Sequence, residues 1–386
     1  MAYDVVVAGL GAMGSATVYQ LTRLGATVLG IDRFSPPHAF GSTHGDTRIT
    51  RLAVGEGPEY VPLVRRSHEI WRDIERATGA RLLHQCGGLV MAVPDGRGRR
   101  GASGFLSRTV ETARQFGIAH ELVGADEIGR RFPQLELTGA EQGYYESEAG
   151  FVRPERCVEA QLRSARRGGA VLRLGERVTS YRDDGTGVTV TTSGGIYAAS
   201  KLVISAGPWV GELLPDLASR FAVYRQVLHW FDLDDPSRYE SYAEMPVYIW
   251  EFGRGADDFM YGFPMVDGPE GGAKVATETY AAPTTPDGVA RDVTRDETDS
   301  MYDGYVAPRL RGLSRRSVKA RSCLYTVTAG GRFVLDVHPS DRNVIVASPC
   351  SGHGFKHSAA IGEVVAQLAT RGSADIDVTA FRLGTD

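Results

Sequence analysis

The sequence predicts an α/β fold in two domains, one on a parallel, Rossmann-like sheet and one on a mainly antiparallel sheet. Three observations predict it. A strand–helix–strand unit with a GxGxxG turn opens the chain, the stretch from Val223 to Tyr280 is dense in strands, and strand patterns return ahead of a final helix.

Tyr3 to Ala8 (YDVVVA) reads as a buried parallel strand. Gly9-Leu10-Gly11-Ala12-Met13-Gly14 follows, then an apolar helical run from Ser15 to Leu24, then a second strand, Thr27 to Ile31, ending at Asp32. This is the arrangement that binds a dinucleotide. Gly9 allows the tight turn, Gly11 lets a pyrophosphate approach the backbone, and Gly14 lets helix and strand pack closely. The helix start offers N–H groups and the positive end of its dipole to phosphates. Asp32 lies 18 residues after Gly14, where a carboxylate reaches ribose hydroxyls.

The next segment, Phe34 to Gly57, is rich in Gly, Pro, His and Arg and too long for a routine connection, which marks it as functional. Glu59 to Gly79 carries helical spacing in Val61, Val64, Ile70, Trp71 and Ile74. Leu82 to Val93 reads as strands, and Ala102 to Gln115 and Pro154 to Arg167 read as helices. Val171 to Ser205 reads as strands with turns. Its last piece, Leu202 to Ser205, is followed by Ala206-Gly207 and returns the chain to the first sheet. The pieces YRQVLHWFDL, MPVYIWEF, FMYGFP and AKVATETY suit a separate antiparallel sheet. Phe333 to Val337 and Val344 to Ala347 are strands again, and the last helix runs from about Gly354 to Thr370. The expected domains are interleaved: 1–85, 150–220 and 326–386 bind the nucleotide, while 86–149 and 221–325 face the substrate.

Composition narrows the function classes. With 386 residues, 42% hydrophobic and 23% charged, the chain can bury two sizeable cores. A formal net charge of −4 without a basic block argues against nucleic acid or an anionic membrane as partner. No apolar run approaches the ~20 residues of a membrane span, and no signal peptide is evident, so a cytoplasmic protein is expected. Cys86, Cys157, Cys323 and Cys350 are scattered without CxxC spacing, which indicates neither a disulfide framework nor a metal site.

The fingerprint alone leaves nicotinamide and flavin open. Distal motifs decide. Residues 41–51 read Gly-Ser-Thr-His-Gly-Asp-Thr-Arg-Ile-Thr-Arg, residues 321–326 read Arg-Ser-Cys-Leu-Tyr-Thr, and residues 351–356 read Ser-Gly-His-Gly-Phe-Lys. Pro36-Pro37-His38, Gly55-Glu56-Gly57, Tyr60-Val61-Pro62-Leu63, Tyr261-Gly262-Phe263-Pro264 and Phe381-Arg382-Leu383 accompany them. In these motifs, in order over essentially the whole chain, the sequence resembles the monomeric sarcosine oxidase and N-methyltryptophan oxidase family of flavin amine oxidases.

The resemblance implies a two-domain flavoprotein holding FAD, with Cys323, in its C-x-Y setting, as the point of a covalent thioether. The alternative for Cys323 is a buried free thiol. Gly9, Gly11, Gly14, Asp32, Arg33, Thr47 and Val178 are the implied cofactor positions on the nucleotide side. Gly352, Gly354 and Lys356 are those at the last helix, where a Gly-rich turn offers donors to an anionic reduced flavin. Lys274 matches the family's strand lysine that promotes oxygen reduction. An ammonium there stabilises superoxide by Coulomb attraction in a pocket of low dielectric. Arg51 and Lys356 resemble the pair that holds the substrate carboxylate, a planar fork plus a point charge. Arg48 and His44 resemble residues lying against the flavin ring, and Tyr261 and Tyr325 resemble tyrosines lining the pocket.

Two departures bear on substrate. Val54 stands where small-substrate members carry a tyrosine, and Glu278 where they carry a histidine. The changes suit a larger substrate or one with a second positive group. A further departure, Ala329-Gly330-Gly331-Arg332 in place of an acidic segment, concerns surface contacts. The implied activity is oxidation of a secondary or N-methylated amino acid to its imine by a monomer, with dioxygen reoxidising the flavin to give hydrogen peroxide and no metal required. Two alternatives are a tailoring oxidase of a cyclic imino acid or natural-product amine, and a flavin dehydrogenase passing electrons to a partner.

Overall fold

A computed structural model describes residues 3–96, 104–255 and 257–384. Tyr3–Ala8 is the centre of an eight-stranded sheet. It pairs in parallel with Val28–Asp32 on one side and Ile196–Ile204 on the other, which explains the near-complete burial of Val5 to Ala8. Val171–Leu174 extends the sheet beyond Val28–Asp32. Leu202 to Ile204 also pair in parallel with Val344–Ser348, whose antiparallel neighbour is Val334–Val337. An antiparallel ribbon, Val178–Asp183 and Val188–Thr192, completes the layer. Beginning, middle and end of the chain thus share one sheet.

Helices cover that sheet. Ala12–Arg23 packs between Ser358–Arg371 and Pro154–Arg167. A Cβ on Gly362 would lie 2.4 Å from the Ala16 Cβ, so the first and last helices meet almost backbone to backbone. The expected helix from Gly354 begins as a 3-10 turn, Phe355–His357, and becomes α-helical at Ser358. The expected helix from Ala102 is found over Phe105–Gln115, and Ala102 and Ser103 lie outside the described residues.

The second sheet has nine strands and is mainly antiparallel, with one parallel pairing between Gly88–Ala92 and Val247–Glu251. Its longest members, Ala222–Leu233 and Leu313–Val327, pair along most of their length. Cross-strand register sets Tyr144, Val90, Ile249, Tyr261, Ala276 and Leu228 in one row. Lys274 lies opposite Trp230, and Cys323 opposite Gln226. Residues directly opposite point to the same face, so these groups share one wall.

A three-stranded sheet, Arg48–Thr50, Gly150–Val152 and Leu83–His84, sets Arg48 beside the second layer. The segment around Asp287 reaches back to the first sheet, where Asp287 accepts from Arg33 at 3.1 Å and from the Trp209 indole N–H at 2.8 Å. Among the described residues no helix is long and apolar enough to cross a membrane.

Candidate active site

Both large sheets contribute to one open-mouthed cavity, whose lining runs from the GxGxxG turn to the Gly352–Gly354 turn. At one end lies the GxGxxG turn. Gly9 has φ +91°, and a Cβ there would sit 2.5 Å from the Ser205 carbonyl oxygen. A Cβ on Gly14 would sit 1.8 Å from the Gly9 oxygen, so Gly14 lies beneath the turn and not on the cavity wall. Gly11 differs: among the described residues beyond its own chain neighbours, Thr43 Oγ1 at 3.5 Å is the atom that comes within 4 Å of its missing Cβ, and Gly11 lines the cavity. Contacts within the protein do not demand a glycine there, whereas close approach of a pyrophosphate would. Asp32 lines the same end, its two oxygens accepting the Leu10 N–H at 2.7 Å and the Phe34 N–H at 2.8 Å. Each carboxylate oxygen keeps a second lone pair for a hydroxyl donor. Arg33 and Val178 complete this wall. Opposite it, Gly352 (φ +82°) and Gly354 line the turn into the last helix, and a Cβ on Gly354 would meet the Pro349 oxygen at 1.8 Å. The residues fit FAD: a pyrophosphate turn, a ribose carboxylate, and a second helix start facing the cavity.

Lys274 is buried on an interior strand, not on a sheet edge. Its Nζ donates to the Gly45 carbonyl at 2.7 Å, the Thr47 carbonyl at 2.9 Å and Thr47 Oγ1 at 3.2 Å. It also sits 4.5 Å from the centre of the Phe263 ring. Burial, and then the neighbouring Arg48, hold its pKa well below that of an ordinary lysine, against the opposing pull of Asp46, Glu155 and Cys323. Arg48 donates to the carbonyls of Thr47 and Ser42, both at 2.8 Å, and lies 3.6 Å from Cys323 Sγ.

Elsewhere on the cavity lining, Arg51 and Lys356 are both buried and both face Glu56. Arg51 Nη2 is 2.7 Å from Glu56 Oε2, and Lys356 Nζ is 3.6 Å from Glu56 Oε1. Phe105 lies beneath the Arg51 guanidinium at 5.1 Å. Tyr261 and Tyr325 bring their hydroxyls within 3.4 Å of each other. Burial, reinforced by Glu278, pushes the Tyr261 phenol up to about 12. Glu278 is buried on the cavity wall and accepts the Tyr280 hydroxyl at 2.6 Å.

Besides Gly14, three expected positions stand behind the wall. Val54 is fully buried in the core cluster that also holds Phe105, so it reaches the cavity only through its neighbours. His44 is buried next to the wall, and burial followed by the charges of Arg48 and Lys274 pushes it down to about 3, which keeps the ring neutral. Cys323 is also buried behind the wall, its Sγ 3.6 Å from the oxygen of Ser42, which does line the cavity. Burial raises its thiol pKa and Arg48 opposes that rise. Sequence reasoning gives Cys350 no role beyond being one of four scattered cysteines, yet it lines the cavity. It names Glu56 only inside a motif and does not mention Glu155. The first-turn position of Glu155, next to Pro154, was the available signal, but its partners lie more than 100 residues away.

Comparison with known proteins agrees with this geometry. The family described as FAD dependent oxidoreductase matches residues 4–368. The chain is 40% identical to a monomeric sarcosine oxidase from Streptomyces avermitilis, over 96% of this chain and 94% of that protein. It is 32% identical to an N-methyl-L-tryptophan oxidase from Salmonella heidelberg, over 99% of each. Among solved structures it is similar to NikD, an unusual amino acid oxidase essential for nikkomycin biosynthesis. That likeness has a TM-score of 0.86 and 26% identity, over 99% of this chain and 97% of the other.

Proposed function

The chain belongs to the FAD dependent oxidoreductase family, and on that premise we propose that it oxidises a secondary or N-methylated amino acid to the imine. Dioxygen is the acceptor and hydrogen peroxide the product. The observation that carries the reading is the placement, in one cavity, of the buried cations Arg51 and Lys356 at one end and Lys274 on the sheet wall. The names of the relatives, sarcosine oxidase and N-methyl-L-tryptophan oxidase, support the substrate class.

When bound, FAD supplies two-electron chemistry, accepting a hydride equivalent from the amine carbon and passing the electrons to dioxygen. The GxGxxG turn, Asp32, Arg33, Thr47 and the Gly352–Gly354 turn would hold it, with Cys323 as the covalent tether and Arg48 favouring the thiolate. In this reading segments 1–85, 150–220 and 326–386 form the FAD-binding domain and 86–149 and 221–325 the substrate domain. Arg51 and Lys356 bind the substrate carboxylate, which must share or displace Glu56. Charge-assisted hydrogen bonds of this kind contribute about 1.5–3 kcal/mol each. Tyr261, Tyr325 and the ring of Phe105 exclude water around the amine. Lys274 presents positive charge where oxygen gains electrons.

A second reading, a tailoring oxidase of a cyclic imino acid, is favoured by Glu278, a carboxylate on the cavity wall able to take a further donor of the substrate. Oxygen uptake with peroxide detection, run on sarcosine, N-methyl-L-tryptophan, L-proline and L-pipecolate, tests both. Turnover of N-methylated acids supports the first reading and turnover of only the cyclic acids the second. Anaerobic bleaching by an amine without oxygen uptake would replace both with a dehydrogenase.

A further inference from the structure

We propose that Glu155 and Asp46, neither of which lines the cavity, are positioning residues that fix Lys274 for its reaction with oxygen. The inference rests on the reading of Lys274 given above. All three acceptors of the Lys274 ammonium belong to a single turn: the carbonyl of Gly45 and the carbonyl and hydroxyl of Thr47. That turn is an unusual one. Thr47 N–H donates back to the Gly45 carbonyl at 2.8 Å. Gly45 has φ +94° and Asp46 has φ +68°, consecutive residues in the left-handed region, where a side chain costs energy. Glycine suits the first of these positions, where φ is +94° and a Cβ would also lie 2.6 Å from Leu228 Cδ1.

Something must hold this conformation, and two contacts do. Glu155 Oε1 accepts the N–H of Gly45 at 2.6 Å and of Asp46 at 3.1 Å. Glu155 sits in the first turn of the helix Pro154–Arg167, a rigid support on the far side of the turn. On the outer side, Asp46 Oδ2 lies 2.5 Å from Lys319 Nζ. Both carboxylates also place negative charge next to Lys274. Arg48 depends on the turn much less. It takes the Thr47 carbonyl, but also the Ser42 carbonyl from outside the turn. Loosening the turn therefore disturbs Lys274 most, since all three of its acceptors move, and Thr47 and Arg48 less.

The experiment uses flavin-loaded enzyme in stopped flow. Reoxidation is followed by mixing dithionite-reduced protein with oxygen, and reduction by mixing oxidised protein anaerobically with N-methyl-L-tryptophan. The expected result for Glu155→Ala is a fall of about tenfold in the reoxidation rate, as for one lost charge-assisted hydrogen bond, with reduction within about twofold of wild type. Glu155→Gln retains an acceptor oxygen and is expected to restore most of the rate. Asp46→Ala is expected to behave like Glu155→Ala. Adding Glu155→Ala to Lys274→Met is expected to slow reoxidation no further than Lys274→Met alone. Equal slowing of both half-reactions, or additivity in the double variant, overturns the inference while leaving the role of Lys274 standing. Wild-type reoxidation in Lys274→Met overturns both.

Discussion

Buried Arg51 and partly buried Glu56 form an ion pair 2.7 Å across on the cavity wall, and Lys356 closes on the other oxygen of the same carboxylate. The protein thus carries, in its own chain, a carboxylate seated between the two cations assigned to the substrate's. The three groups leave one net positive charge for an incoming anion.

Glu56→Gln raises that net charge. It is expected to tighten binding of a simple carboxylate such as benzoate by about tenfold, read as a perturbation of the flavin spectrum. Arg51→Ala is expected to weaken the same binding by about a hundredfold, since a charge-assisted fork is lost. Weaker binding in Glu56→Gln would mean that the glutamate orients Arg51 and does not compete with the ligand.

The tether is checked with two serine variants. Cys323→Ser is expected to release yellow flavin into the supernatant on acid precipitation, whereas Cys350→Ser keeps it in the pellet. Cys350 is the informative control because it lines the cavity and Cys323 does not. The reverse pattern would move the attachment to Cys350.

Glu278 places a carboxylate close enough to Tyr261 to help raise its pKa. Glu278→His removes that charge and is expected to raise kcat/KM for sarcosine by about tenfold, or ~1.4 kcal/mol in the transition state. Steady-state oxygen uptake measures it. An unchanged value would separate Glu278 from substrate selection.

Glu251 supplies a pH test away from the chemistry. Its side chain is buried at the end of Val247–Glu251, and burial, partly opposed by Arg108, pushes its pKa from 4.5 up to about 7. The unfolded carboxyl loses its proton near 4.5 while the folded one keeps it to about 7, so this residue's contribution to stability falls as pH rises through that window. The full shift corresponds to at most about 3 kcal/mol. Glu251→Gln is expected to raise Tm at pH 8 and leave it unchanged at pH 4, in calorimetry at both values. An equal change at both would trace to packing and not to ionisation.

Much of the fold was legible because its signals are local. The opening βαβ unit and the helix Pro154–Arg167 follow from periodicity and punctuation within a dozen or so residues. The helix Arg295–Met301 opens on a capping box between Thr294 and Glu297, a legible signal absent from the expectations above. The site divides differently. Lys274, Arg51 and Lys356 are recognisable through their motifs. What holds them is not, because Gly45 and Lys274, or Glu155 and Asp46, meet only when separate layers come together. The burial of Val54 away from the cavity wall is likewise a tertiary fact, since spacing along a loop does not say which residue faces the cavity.

The close meeting of Ala16 and Gly362 has a consequence for how the protein folds. The GxGxxG turn and the helix Ser358–Arg371 that covers it belong to distant parts of the sequence, so the nucleotide-binding layer closes only by a long-range contact. The strand Val344–Ser348, which extends the parallel sheet, belongs to the same distant segment. Without that segment Val203 loses its neighbour Ile345, and Val18 loses the helix packed on its own. The dinucleotide turn is therefore local in sequence, while the layer that supports it is assembled from segments far apart.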